Sequence, residues 1–163
     1  MLPKYPVRCN RQKGAIMADR VTQTVRSQMM SAVRGKDTRP ERAVRSVLFA
    51  AGYRYRLHRR DLPGAPDIVL PRLRTAVFVH GCFWHGHECP RGRRPTSNIE
   101  FWNRKLDSNI ARDRQNHAAL RTGGWRVEVI WQCSLAVGCE RLLVQLDALR
   151  QAVFAGRTSE FTR

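Results

Sequence analysis

Cys82, His87 and Cys89 fall within eight residues, in the spacing Cys-x4-His-x-Cys. Thiolate sulfur and imidazole nitrogen at such short range suit tetrahedral zinc, which takes four ligands where it serves structure alone. The fourth is missing locally. Cys133 could supply it, provided the strand that precedes it lies beside the strand that precedes Cys82. The alternative is that these are buried small hydrophobes with a stray imidazole, a common fate of free cysteine.

Other residues could carry chemistry. Asp67 follows Pro66 and stands at the mouth of the apolar run Ile68-Val69-Leu70. A lone carboxylate there suits magnesium, a hard cation that prefers oxygen and keeps room for substrate phosphates; on its own, though, the position more readily reads as an Asp that finishes the turn. His80 and His85 flank Gly-Cys-Phe-Trp, and imidazole is the side chain that moves protons near neutral pH. Phe83-Trp84 places two large aromatics in a polar loop, where they either join the core or wedge between stacked bases. His58 and His117 read as surface residues.

These residues need elements to hold them. Thr75 to Val79 is an apolar, β-branched run that breaks at Gly81, so a strand delivers the cysteine loop to a sheet edge. The turn DLPGAP leads into Ile68-Val69-Leu70, and Pro71 to Arg74 turns the chain back, which predicts a hairpin with the strand at Thr75. A short strand is expected at Tyr53 to His58 and another at Trp125 to Trp131. Thr38, Pro40 and Glu41 make a capping box before Val44, Val47 and Leu48, and Gly52 ends that helix. The box alone accounts for Glu41. Ser97 and Glu100 repeat the spacing and open a helix to about Leu120, closed by Gly123 and Gly124. A terminal amphipathic helix, about 139–155, carries Leu142, Leu143, Leu146, Leu149 and Val153 on its apolar side. Val25, Met29, Met30 and Val33 suggest one further helix near the start.

Strands and helices intermix without an internal repeat, as in an α/β domain. We read 17–163 as one domain, and 1–16 as a basic, disordered extension or a misassigned upstream start with Cys9 idle. The net charge is +17, from 30 bases against 13 acids. Residues 17–138 hold 22 of those bases and 10 of the acids, so the excess sits in the folded body and points to a polyanion, nucleic acid first and acidic membrane second. No apolar run has the length of a membrane span and the N-terminus lacks a signal-peptide core. The expected location is therefore cytoplasmic, with the five cysteines reduced or on metal.

Taken together, PGAPD at 63–67, HGCFWH at 80–85 with HxC following, EFW at 100–102, RDR at 112–114 and GWRVEVIWQC at 124–133 resemble the very short patch repair (Vsr) endonucleases. The resemblance covers about residues 17–135. It implies a restriction-endonuclease-like fold, a central mixed sheet flanked by helices with one structural zinc, and a magnesium-dependent nick, with two ions, beside the T of a T:G mismatch in double-stranded DNA. Such mismatches arise where 5-methylcytosine deaminates at the site of a cytosine-5 methyltransferase; the enzyme is expected to act as a monomer. Residue by residue, Asp67 resembles the central magnesium carboxylate, and the Val79 carbonyl the second direct contact. His85 aligns with the histidine that takes a proton from the attacking water, His80 and Glu41 with residues supporting phosphate and hydrated metal. Cys82, His87, Cys89 and Cys133 fall on the zinc ligands. Phe83, Trp84 and Trp102 fall on aromatics that enter the duplex, Met30 near an apolar residue approaching from the other groove, and Lys105 and Asn109 on positions contacting the wobble pair. Val79 replaces a familiar Thr, which matters little if only its carbonyl is used. The alternatives are a sequence-specific restriction-type nuclease and a noncatalytic zinc-containing DNA-binding module.

Overall fold

The computed structural model describes residues 35–159. The expectations for 1–16, for Cys9 and for the stripe holding Met30 lie outside the described residues.

The first described helix, α1, is Arg39–Ala50, and the anticipated capping box forms: the Thr38 hydroxyl accepts from the Glu41 N–H while the Glu41 carboxylate takes the Thr38 N–H. Gly52 follows at φ 82°, a backbone state that glycine enters without steric cost. Four strands come next in the sheet, β1 Arg56–Leu57, β2 Ile68–Leu70, β3 Thr75–His80 and β4 Arg126–Trp131, in the spatial order β1-β2-β3-β4. The β2–β3 hairpin is antiparallel as expected, and β3 pairs with β4 in parallel. Parallel neighbours need a crossover, and the helix α2, Ile99–Thr122, lies in the chain between them. The last helix, α3, is Leu135–Ser159. The chain is thus a mixed α/β fold.

Period-two alternation along β3 divides the core between the two faces of the sheet. Val77 packs with Val44 and Leu48 of α1 and Leu142 and Leu146 of α3, whereas Ala76 and Phe78 pack with Leu120 of α2. His80 belongs to the Ala76–Phe78 series and so emerges on the α2 side.

Three local expectations need correction. The strand at 53–58 shortens to Arg56–Leu57, because the Tyr53 N–H bonds back to the Leu48 carbonyl and His58 turns to φ 48°. The Ser97–Glu100 box does not form: the N-cap is Asn98 at φ 50°, without a side-chain cap bond, which leaves Glu100 one place short of the position a box requires. The terminal helix starts earlier and runs further than expected, and Val153 is exposed. Gly138 permits that early start, since a Cβ there would meet Ile130 Cγ2 of β4 at 2.8 Å.

Tyr53 ties α1 to α3. Its hydroxyl donates to Asp147 Oδ1 at 2.6 Å, and burial together with this carboxylate pushes the phenol from 10.0 up to about 12. The folded state therefore favours the protonated phenol. This stabilisation is complete below pH 10 and is lost as the pH rises toward about 12. Tyr53→Phe should cost about 1 kcal/mol at neutral pH and flatten the alkaline decline; melting curves on either side of pH 10 check it.

Candidate functional site

A cavity of about 810 Å³ opens where β2, β3 and α2 converge. Asp67 lines it from the mouth of β2, Val79 and His80 from the end of β3, and Trp84 and His85 from the loop beyond. From α2 come Lys105, Asn109, Asp113 and His117, spaced four residues apart and so on one stripe of the helix. Glu41 and His58 complete the wall, and Lys36 and Arg60 add positive charge at it.

Asp67 is half-buried. Its Oδ2 accepts from the Val79 N–H at 2.8 Å, and its other oxygen takes no hydrogen bond among the described residues. Burial pushes its carboxyl above the ordinary value; the Val79 bond opposes this and the nearby Glu41 adds to it. Asp67 is thus a carboxylate with one oxygen anchored, one open to the cavity, and an electrostatic need for a cation.

The histidines lie close together. The His80 and His85 rings stack with centroids 3.7 Å apart, and His117 lies 5.7 Å from His80 in a near-parallel plane. Burial, reinforced by His85, pulls His80 down to about 3, so it stays neutral. His85 Nδ1 sits 2.6 Å from Asp113 Oδ2. Burial alone would raise Asp113, but the hydrogen bond and charge of His85 hold its carboxyl below the usual range. A carboxylate can only accept, so His85 donates from Nδ1, which in the neutral ring leaves the lone pair on Nε2.

Cys82, His87, Cys89 and Cys133 come together, with their ligand atoms within 4.8 Å of one another and Cys133 Sγ 3.4 Å from His87 Nδ1. The β3–β4 register explains this. It aligns His80 with Trp131, so Cys82 and Cys133, each two residues further, leave the sheet side by side. Metal–ligand bonds of about 2.0 to 2.3 Å give a tetrahedron with edges of about 3.3 to 3.8 Å, so three sulfurs and a nitrogen at these separations suit one ion. Burial and the Cys133 contact push the Cys82 thiol to about 12. At Cys89 burial works against ionisation, yet the hydrogen bonds from His87 and Cys82 outweigh it and set the thiol at about 6. Gly92 closes the loop from beneath, where a Cβ would run into the His87 carbonyl.

Phe83, Trp84 and Trp102 form one aromatic cluster, with centroids 5.0 Å apart for Phe83–Trp84 and 5.3 Å for Phe83–Trp102. All three are half-buried. The cluster lies next to the cysteine loop, and Asn109 Nδ2 donates to the Trp84 carbonyl at 3.1 Å.

Two expectations change here. His117 is not a surface residue: it lines the cavity, half-buried, and its buried Nε2 has no hydrogen-bond partner among the described residues. His58 is likewise only partly exposed and lies within 3.0 Å of Arg45. Sequence reasoning gave no role to Asp113, named only within the RDR motif at 112–114, and none to Arg45. Asp113 had a signal, since it continues the four-residue spacing of Lys105 and Asn109.

A family profile described as DNA mismatch endonuclease Vsr matches residues 18–91. The chain is 55% identical over 120 residues to the type II nicking enzyme V.XorIIP of Xanthomonas oryzae pv. oryzae, covering 74% of this chain and 88% of that one. It is 42% identical over 140 residues to the type II nicking enzyme V.NmeAIP of Neisseria meningitidis serogroup A, across 84% of this chain and all of the relative. Against the DNA mismatch endonuclease Vsr of Escherichia coli K12 the identity is 40% over 126 residues, covering 77% of this chain and 80% of that one.

Proposed function

The chain belongs to the Vsr family of DNA endonucleases, and on that premise we propose that it nicks one strand beside the T of a T:G mismatch left by deaminated 5-methylcytosine. The observation that carries this reading is that Asp67 and the His85–Asp113 pair line one cavity beside an aromatic cluster. The mixed sheet with its carboxylate at the start of β2 is then a restriction-endonuclease-like core. The enzyme works as a monomer on double-stranded DNA, in company with a cytosine-5 methyltransferase.

Asp67 and the Val79 carbonyl would hold magnesium, which supplies neutralising charge at the scissile phosphate. His85 accepts the proton of the attacking water on Nε2, and Asp113 holds its ring and compensates the imidazolium that results. His80 stays neutral against the His85 ring, so a single positive charge develops in the stack. Cys82, His87, Cys89 and Cys133 would hold a structural zinc, which fixes the loop carrying Phe83 and Trp84.

Phe83, Trp84 and Trp102 enter a base step. Unstacking costs a few kcal/mol and less where pairing is already defective, so deformation energy separates T:G from paired DNA. Lys105 and Asn109 face the wobble pair from α2. Base–aromatic stacking contributes about 1–3 kcal/mol per base, so Trp84→Ala should narrow the T:G over C:G nicking ratio about 10- to 100-fold; an unchanged ratio removes the wedge. The function itself is tested by a panel of T:G and fully paired duplexes in magnesium and in EDTA. A nick confined to the T strand in magnesium is expected. Cleavage of both strands of paired DNA would instead indicate a restriction-type enzyme, and binding without cleavage in any metal a noncatalytic module.

A further inference from the structure

Glu41 is 3% exposed, and its carboxylate is fully occupied. Oε2 accepts from the Asp37 N–H at 3.0 Å and from Arg45 Nη2 at 2.8 Å; Oε1 accepts from the Thr38 N–H at 3.3 Å and the Thr38 hydroxyl at 2.7 Å. A carboxylate offers about four lone-pair directions. All four are taken by the chain's own donors in this arrangement, although Glu41 borders the same cavity as Asp67.

Arg45 is what closes this arrangement. It is buried, its Nη1 donates to Asp37 Oδ1 and its Nη2 to Glu41, and Nη2 also lies 3.0 Å from His58 Nε2. A guanidinium has no acceptor, so Nε2 can meet Arg45 only as an acceptor, and the same nitrogen lies 3.6 Å from Asp37 Oδ1. The hydrogen bond from Arg45 also holds the Asp37 carboxyl below its usual range. Asp37, Glu41 and His58 each offer a ligand atom within 4.8 Å of the others, a spacing that suits a divalent ion, and the guanidinium already supplies the positive charge there. The Tyr55 hydroxyl anchors the Arg45 carbonyl at 3.2 Å, so the backbone beneath this cation is also fixed.

We propose that Arg45 is the resident cation of the Asp37–Glu41–His58 cluster and the positioning residue that fixes Glu41 and His58 beside Asp67, so that divalent metal is confined to Asp67. The inference rests on Asp67 being the magnesium carboxylate. Removing the guanidinium frees one lone-pair position on Glu41 Oε2 and leaves an O,O,N ligand set without its cation, which a divalent ion can then fill.

The test uses full-length, zinc-loaded protein and its Arg45→Met and Arg45→Lys variants. Bound Mn²⁺ is counted from the free-ion EPR signal without DNA, and nicking of a T:G duplex is measured at saturating magnesium. Arg45→Met should bind one more Mn²⁺ than wild type and nick at least about tenfold more slowly with unchanged zinc content, a pairing that simple loss of structure does not produce. Arg45→Lys keeps a charge but not the fork; it should keep the wild-type Mn²⁺ count and lose nicking rate severalfold. A wild-type Mn²⁺ count in folded Arg45→Met overturns the proposal. Should that variant melt below assay temperature, a wild-type nicking rate in Arg45→Lys overturns it instead. If wild type proves inactive on T:G duplex while Arg45→Met still gains an ion, the Arg45 assignment stands and the nuclease reading falls.

Discussion

Asp67→Ala should bind T:G duplex as tightly as the parent while its nicking rate falls by about a thousandfold or more. Metal-assisted charge stabilisation is worth several kcal/mol at the transition state, and each 1.36 kcal/mol is a factor of ten in rate, so losing about 4 kcal/mol gives this magnitude. Binding is spared if, as proposed, the affinity arises elsewhere, from the basic residues and the aromatic cluster. The fold also tolerates the change. Burial raises the Asp67 carboxyl, so removing this acid relieves an unfavourable charge, and the cost is limited to the hydrogen bond from Val79. Gel-shift affinity and single-turnover nicking on the same duplex separate the two effects. Parallel losses in both would make Asp67 a turn residue after all. Full nicking with intact binding would move the catalytic carboxylate elsewhere.

Asp67 stood out in the sequence as a solitary acid between proline and an apolar strand, but a turn accounts for such a residue equally well, and only the family resemblance gave it a metal. The cysteine cluster was legible because two apolar strands each end two residues before a cysteine, so one assumption about pairing brings all four ligands together. The Asp113 and Arg45 sites were hidden by a shared cause. In α1 the buried face is Glu41, Val44, Arg45 and Leu48, but reading for apolar periodicity keeps Val44, Val47 and Leu48 and treats charged residues as solvated. In α2 the stripe Lys105, Asn109, Asp113, His117 looks like an exposed polar face until β3 delivers His80 and His85 against it. Helical periodicity fixes which residues share a face. What that face meets is decided by strand order, and the parallel β3–β4 pairing that sets it is a long-range event. The missing cap at Ser97 has a local cause: Asn98 adopts the left-handed state that Asn tolerates better than most residues, and this shifts the helix start by one position.

Cys133→Ser carries the largest expected effect on stability. Cys82, His87 and Cys89 lie on one short loop, whereas Cys133 comes from the end of β4, so it is the ligand that would turn a local chelate into a tie between two strands. If losing one thiolate weakens zinc about a thousandfold, the linked loss of folding free energy is about 4 kcal/mol, a fall of about 8–16 °C in melting temperature for a chain of this size. Zinc content should drop from one equivalent by the same substitution. The sheet core does not include these ligands, apart from buried Cys82 at its margin, so secondary structure by far-UV circular dichroism should survive at low temperature. Mismatch discrimination should not survive, since Phe83 and Trp84 sit between two members of the ligand set. Brief EDTA treatment provides the contrast: it should remove magnesium from wild type with activity restored by magnesium alone, whereas Cys133→Ser should remain undiscriminating at any magnesium concentration. A variant that keeps full zinc content, melting temperature and T:G preference would leave Cys133 as a half-buried thiol beside the loop, and the rigidity of the aromatic pair would then rest on the Asn109–Trp84 bond and the close packing at Gly92.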